Sequence, residues 1–229
     1  VPLEAGGAIT AIVYPAGRRS DGAPPPADRR SALILGHGAG AGQQSAFMVG
    51  FARGLASLGI DTITFNFLYT EQKRRLPDRG PALEACYRSV ISAVQRQVES
   101  AKSSVFIGGK SMGGRIATQV AAADATLPLA GLVLLGYPLH PPGRPAERRD
   151  RHLPDVRRPM LFVQGSRDTF GTPEELRPIL QTLNPEAALD VVEGGDHSLK
   201  VSGLAAAQAA VYESVQKTIA DWILTRAGV

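Results

Sequence analysis

With 229 residues, 44% of them hydrophobic, the chain can bury a substantial core and reads as ordered. Its 25 Lys and Arg against 21 Asp and Glu leave a net charge of only +4, and the arginines are scattered without aromatic interleaving, which argues against a nucleic-acid partner. A lone cysteine, Cys86, excludes an internal disulfide and a cysteine-based metal framework, and no apolar run approaches the roughly 20 residues that a membrane-spanning helix needs. The expectation is one soluble, cytoplasmic domain over 1–229, without a membrane or nucleic-acid partner.

Ala8 to Tyr14 is the first short β-branched run, and Ser20 to Arg30, with Pro24, Pro25 and Pro26, reads as a loop between two edge strands. Ala32 to Leu35 is the next strand. It leads into Gly36-His37-Gly38-Ala39-Gly40-Ala41-Gly42, a glycine-dense loop that can bring backbone N–H groups against a substrate carbonyl because little side chain stands in the way. Ala39 is the expected donor, with Gly38 as the alternative donor and a candidate substrate-binding residue. His37 reads as a brace of this loop rather than a catalytic group. Ile60 to Phe65 follows as a strand, and Leu83, Cys86, Tyr87, Val90, Val94 and Val98 then share one helix face.

Val105-Phe106-Ile107 runs into Gly108-Gly109-Lys110-Ser111-Met112-Gly113-Gly114, and Ile116 to Ala123 looks helical. Strand, sharp turn and helix with G-x-S-x-G at the turn is the context that lifts a nucleophilic serine hydroxyl clear of a sheet, with glycines where flanking backbone must fold close. Met112 then supplies an oxyanion-binding N–H. Losing one such donor typically costs on the order of 3 kcal/mol of transition-state stabilisation. A phosphate-binding loop would need glycine where Ser104 stands. Lys110 and Arg115 flank the turn and are candidates for binding a carboxylate or phosphate on the substrate, against the plainer reading of a solvated surface.

Leu129 to Leu135 is a further strand, and Tyr137 to Arg158, with five prolines and six arginines, reads as a surface excursion rimming a site, too polar for core. Met160 to Val163 is a buried strand whose following turn ends at Asp168, the expected acid. Asp155 precedes that strand, and Asp196 adjoins the expected base. Asp168 could otherwise be a turn-former or cap the helix near Thr172. After Ala188 to Val192, Glu193-Gly194-Gly195-Asp196-His197-Ser198 can bend back over the sheet and present His197, chosen from His37, His140, His152 and His197. Leu204, Val211, Val215, Trp222 and Ile223 share a closing helix face.

Near-continuous apolar strands alternating with helices predict a doubly wound, mostly parallel α/β sheet covered on both faces, with the later strands central. The order strand-HGAG, GKSMG, GSRD and GDH resembles the α/β-hydrolase superfamily over essentially the whole chain. Phe65-Asn66-Phe67, Gly109 to Arg115, Gly136 to Gly143 and Gly195 to Ser198 look more narrowly like small bacterial hydrolases related to testis-expressed protein 30 and the NSL complex subunit 3, and like dienelactone-hydrolase-like proteins. That resemblance implies about seven to eight strands and a minimal cap. Dienelactone hydrolases proper carry a cysteine nucleophile, so Ser111 departs from them. The residues predict a serine esterase-type enzyme, with Ser111 as nucleophile, His197 as base and Asp168 as its orienter, acting on a small-molecule carboxylic ester or thioester without metal or organic cofactor. The alternative is a non-catalytic binding protein on the same fold, since some relatives act in chromatin complexes. A dehalogenase or epoxide hydrolase would need a carboxylate at the turn.

Overall fold

The computed structural model of the chain describes residues 1–4, 6–17, 30–185 and 187–227. The proline-rich stretch read as a loop lies, except for Arg30, outside the described residues. Seven strands among them form one sheet: β1 (Ala11–Tyr14), β2 (Ala32–Gly36), β3 (Asp61–Phe65), β4 (Val105–Lys110), β5 (Gly131–Leu135), β6 (Met160–Gly165) and β7 (Ala188–Val192). Their spatial order is β1-β3-β2-β4-β5-β6-β7, parallel throughout except for the β1–β3 pair. The helices are α1 (Ala46–Ser57), a short α2 (Leu68–Glu71), α3 (Gly80–Gln97), α4 (Met112–Ala123), α5 (Pro173–Leu180) and α6 (Ala205–Leu224).

Strand composition explains the two covered faces. Successive side chains of a strand point to opposite sides. Ile34 and Ile107 therefore join Tyr87, Val90, Ile116 and Val120 under α3 and α4. Leu33, Leu35 and Phe106 join Phe51, Leu55, Ile219 and Trp222 under α1 and α6. Both faces are apolar, so these strands need continuous rather than alternating hydrophobicity.

Three expectations change. β2 is central, between β3 and β4, rather than at an edge, as its wholly buried Ala-Leu-Ile-Leu-Gly requires. β7 is an edge strand, half-buried and carrying Asp190, because nothing pairs beyond it among the described residues. Leu204 is exposed, since it caps α6 from outside the helical period, whereas Val215, Trp222 and Ile223 are buried as their spacing predicts. No helix of the described residues is long and apolar enough to cross a membrane.

The winding also places the site. From β2 the chain passes through α1 to β3 on one side, then through α3 to β4 on the other. A crevice opens beyond the carboxyl ends of strands where the winding reverses. Here it lies beyond Gly36 and Gly109, which are partners in the β2–β4 register.

Candidate active site

Ser111 is the single residue between β4 and α4, with φ 51° and ψ −114°, in the region that L side chains seldom adopt. Its N–H donates to the Leu135 carbonyl at 2.9 Å, which anchors the turn to the end of β5. The flanking glycines are needed for a neighbour that the motif does not reveal. A Cβ at Gly109 or Gly113 would lie closer than 3.0 Å to the Gly36 backbone. The turn is thus built against the end of β2.

The His197 ring links two strand ends. Nε2 lies 2.8 Å from Ser111 Oγ, and Nδ1 lies 2.8 and 3.0 Å from the two Asp168 oxygens. A carboxylate only accepts, so Nδ1 carries the proton and Nε2 is left to accept from the serine hydroxyl. The Phe170 ring stacks on the imidazole at 4.1 Å. Gly194, at φ 70°, turns the loop, which then lies over β6 so closely that a Cβ at Gly165 would meet the Gly195 and Asp196 carbonyls. Asp196 accepts from the Ser198 and Lys200 N–H groups and closes its own loop.

Asp168 is fully buried, and its charge is met by donors: Phe170 N–H at 2.8 Å, Gln164 Nε2 at 2.8 Å and the imidazole. Its turn-forming role and its contact with His197 therefore coexist. The cap of α5 belongs to Thr172, in a reciprocal pair with Glu175. Sequence reasoning missed Gln164 and Phe170. Gln164 also donates to the Gly171 carbonyl at 2.7 Å and accepts from Tyr137 N–H at 2.8 Å, so one amide ties the ends of β5 and β6 to the acid. A signal for it exists, since a glutamine inside an otherwise apolar strand demands polar partners.

Lys110 lines the cavity beside Ser111, but its ammonium is engaged within the protein. It is buried, and its ammonium donates to the carbonyl of His197, bracing the histidine loop against the end of β4. Burial pulls its pKa down from 10.5 to about 8, partly opposed by Asp168 and Asp196. Between these values the unfolded chain holds a proton that the folded chain has released, so this group makes stability rise with pH across that window. The expected rise is on the order of 3 kcal/mol. Urea unfolding of wild type and Lys110→Met from pH 7 to 10.5 checks it; equal slopes for the two proteins would show that Lys110 is not charged and buried in this way.

His37 is fully buried and braces its loop as the sequence suggested. Nδ1 donates to the Gly38 carbonyl at 2.8 Å, and Nε2 accepts from Phe67 N–H at 3.2 Å. Burial lowers its pKa, which keeps it neutral. The Ala39 N–H has no acceptor among the described residues. That of Met112 begins α4 and so has none within the helix. Both residues line one cavity of about 770 Å³ together with Gly38, Ser111, Arg115 and His197.

The Tyr137–Arg158 excursion does rim this cavity, through Pro138 and Arg149. Its ends are nevertheless core, with Tyr137, Leu139, Leu153 and Val156 buried, because the apolar residues among its prolines and arginines fold back under it. His140 is engaged by Glu175 at 3.1 Å and His152 by Thr118 at 2.8 Å, both away from Ser111. Cys86 is buried in the α3 core, and burial raises its thiol to about 11. No group of three or more His, Cys, Asp or Glu among the described residues is arranged to hold a metal.

A seven-stranded, mostly parallel sheet with a serine on the turn after its central strand defines the α/β-hydrolase architecture. The family described as alpha/beta hydrolase domain matches residues 29–224, and the chain belongs to it. Among solved structures, a serine hydrolase without lid from Xanthomonas campestris is similar at 20% identity and a TM-score of 0.68, over 93% of this chain and 89% of that one. Est1E from Butyrivibrio proteoclasticus, solved with ferulic acid bound, is 13% identical with a TM-score of 0.72, over 95% of each chain. A dienelactone hydrolase from Anabaena variabilis is 19% identical with a TM-score of 0.68, over 96% of this chain and 98% of that one.

Proposed function

We propose that this protein is a serine hydrolase that cleaves a small carboxylic ester or thioester through an acyl-enzyme on Ser111. The observation that carries the reading is the hydrogen-bonded chain from Ser111 Oγ through both ring nitrogens of His197 to the buried Asp168. Nε2 takes the hydroxyl proton as Oγ attacks the carbonyl carbon. Asp168 keeps the imidazole in the tautomer that can accept that proton and stabilises the imidazolium that results. The Ala39 and Met112 N–H groups receive the oxyanion. When the tetrahedral intermediate collapses, His197 returns the proton to the leaving alcohol or thiol, then activates water to release the acid and regenerate Ser111.

The esterase reading draws on the lidless serine hydrolase and on Est1E as relatives in fold. The test is to treat wild type, Ser111→Ala and His197→Ala with a fluorophosphonate probe and with p-nitrophenyl acetate, after circular dichroism has shown all three folded. Labelling and turnover in the wild type only is the expected result. A folded wild type that neither labels nor turns over would remove the hydrolase reading and favour a binding protein.

A further inference from the structure

Cations line the cavity with few anions to balance them. Lys110, Arg115, Arg149 and Lys200 share the cavity lining with one carboxylate, Asp78, which Arg74 already engages at 2.6 Å. Lys110 is committed to the His197 carbonyl. In the β5–β6 excursion two of the three acids go to other arginines: Glu147 pairs with Arg144 at 3.0 Å and Asp150 with Arg148 at 2.7 Å. Arg149, which lines the cavity wall, has no carboxylate partner among the described residues.

Arg115 is more unusual. Its Nε is buried without any hydrogen-bond partner among the described residues, although leaving a buried donor unsatisfied is costly. The charge is felt nearby, since burial together with Arg115 lowers Arg149 and takes His152 down to about 4. No described acceptor uses the Nε donor, so the guanidinium keeps hydrogen-bonding capacity that an anion in the cavity would take up. Its position is close to the chemistry. The Arg115 N–H donates to the Ser111 carbonyl at 3.0 Å, one helical turn on, which is a rise of about 6 Å. Arg149 is fixed at both ends of its peptide, its N–H donating to Leu139 at 2.8 Å and its carbonyl accepting from the Tyr137 hydroxyl at 2.7 Å.

We infer that Arg115 and Arg149 form a subsite for a carboxylate carried by the ester that Ser111 attacks, a few bonds from the reacting carbonyl. This rests on the serine-hydrolase reading and adds the substrate class. A guanidinium fork matches a carboxylate with paired, charge-assisted bonds. Phe47, Leu83, Met112, Phe170 and Tyr212 line the rest of the cavity, so the body of the substrate is apolar and its end anionic.

The test compares kcat/KM for matched esters at low salt: mono-p-nitrophenyl glutarate against p-nitrophenyl pentanoate for an acyl-side anion, and 4-acetoxybenzoate against phenyl acetate for an alcohol-side one. At least one anionic ester is expected to be preferred by about 10-fold to 100-fold. The preference falls toward unity in Arg115→Met and in Arg149→Met, persists in Arg148→Met, and weakens as salt is added. Calorimetric titration of Ser111→Ala with monomethyl glutarate reads the subsite without turnover, and adding Arg115→Met or Arg149→Met is expected to weaken binding about 10-fold. Turnover of the neutral esters with no anionic preference in either pair overturns the subsite and leaves the hydrolase reading standing. If no ester is cleaved and no probe reacts, the hydrolase reading fails and calorimetry decides the subsite: arginine-dependent binding upholds it, and binding that is absent or indifferent to both arginines overturns it.

Discussion

Replacing Asp168 by asparagine is expected to lower kcat on a p-nitrophenyl ester by about 10,000-fold while leaving the protein folded. The reason lies in the donors around the carboxylate. Oδ1 accepts from Phe170 N–H, Oδ2 accepts from Gln164 Nε2, and both face His197 Nδ1. Asparagine can accept with one of those atoms only. In either orientation its NH2 group confronts a donor that cannot reverse, the Phe170 amide or the Gln164 side chain. The imidazole is the one neighbour able to change, by moving its proton to Nε2, and it then accepts from asparagine. Nε2–H now points at Ser111 Oγ and cannot take its proton. Steady-state kinetics with far-UV circular dichroism as a folding control checks this. A variant within 10-fold of wild type would show that Asp168 does not set the tautomer.

Gly113→Ala is expected to destabilise the protein by about 3 kcal/mol or more, a fall in Tm of about 10 °C for a chain of this size, with loss of the activity that survives folding. Helix propensity alone predicts the opposite, since alanine is better than glycine inside α4 by about 1 kcal/mol. Packing decides the sign. The new methyl would sit closer than 3.0 Å to the Gly36 carbonyl, backbone against backbone, where no side chain can swing aside. Relief requires separating β2 from the serine turn, which displaces both Ser111 and the Gly36–Gly42 loop that carries Ala39. Gly143→Ala is the comparison. Gly143 has φ 71° with nothing within 4 Å of an added methyl, so only the backbone conformation is penalised, by about 1 kcal/mol. Thermal denaturation of both variants separates the two causes. Equal, small losses would mean that β2 and the Ser111 turn are not in contact.

The strands' positions along the chain, the turn at Ser111 and the candidate residues Asp168 and His197 are legible in the sequence because each is a local pattern: apolar runs of four to six residues, glycines where the chain must turn, and one histidine directly after the last strand. Other features are misread because local patterns cannot carry them. A continuous apolar run does not say which neighbours a strand has, so sequence reasoning puts β2 at an edge and β7 in the interior, the reverse of the observed order. An arginine-rich, proline-rich stretch does not say which of its apolar residues fold under it, and Tyr137, Leu139, Leu153 and Val156 do.

The amino-acid sequence by itself determined the alternation of strands and helices, the turn that exposes Ser111, and the residue types that could act with it, because dihedral preferences and hydrophobic period are properties of adjacent residues. Only the tertiary structure decided which groups meet. It set Nε2 of His197 against a serine 86 positions away, gave Gln164 to Asp168, turned Lys110 from a surface cation into a buried brace, and left Arg115 and Arg149 lining the cavity without carboxylate partners among the described residues. Those outcomes depend on strand order and on how charge is shared among segments distant in the chain, which no local pattern encodes.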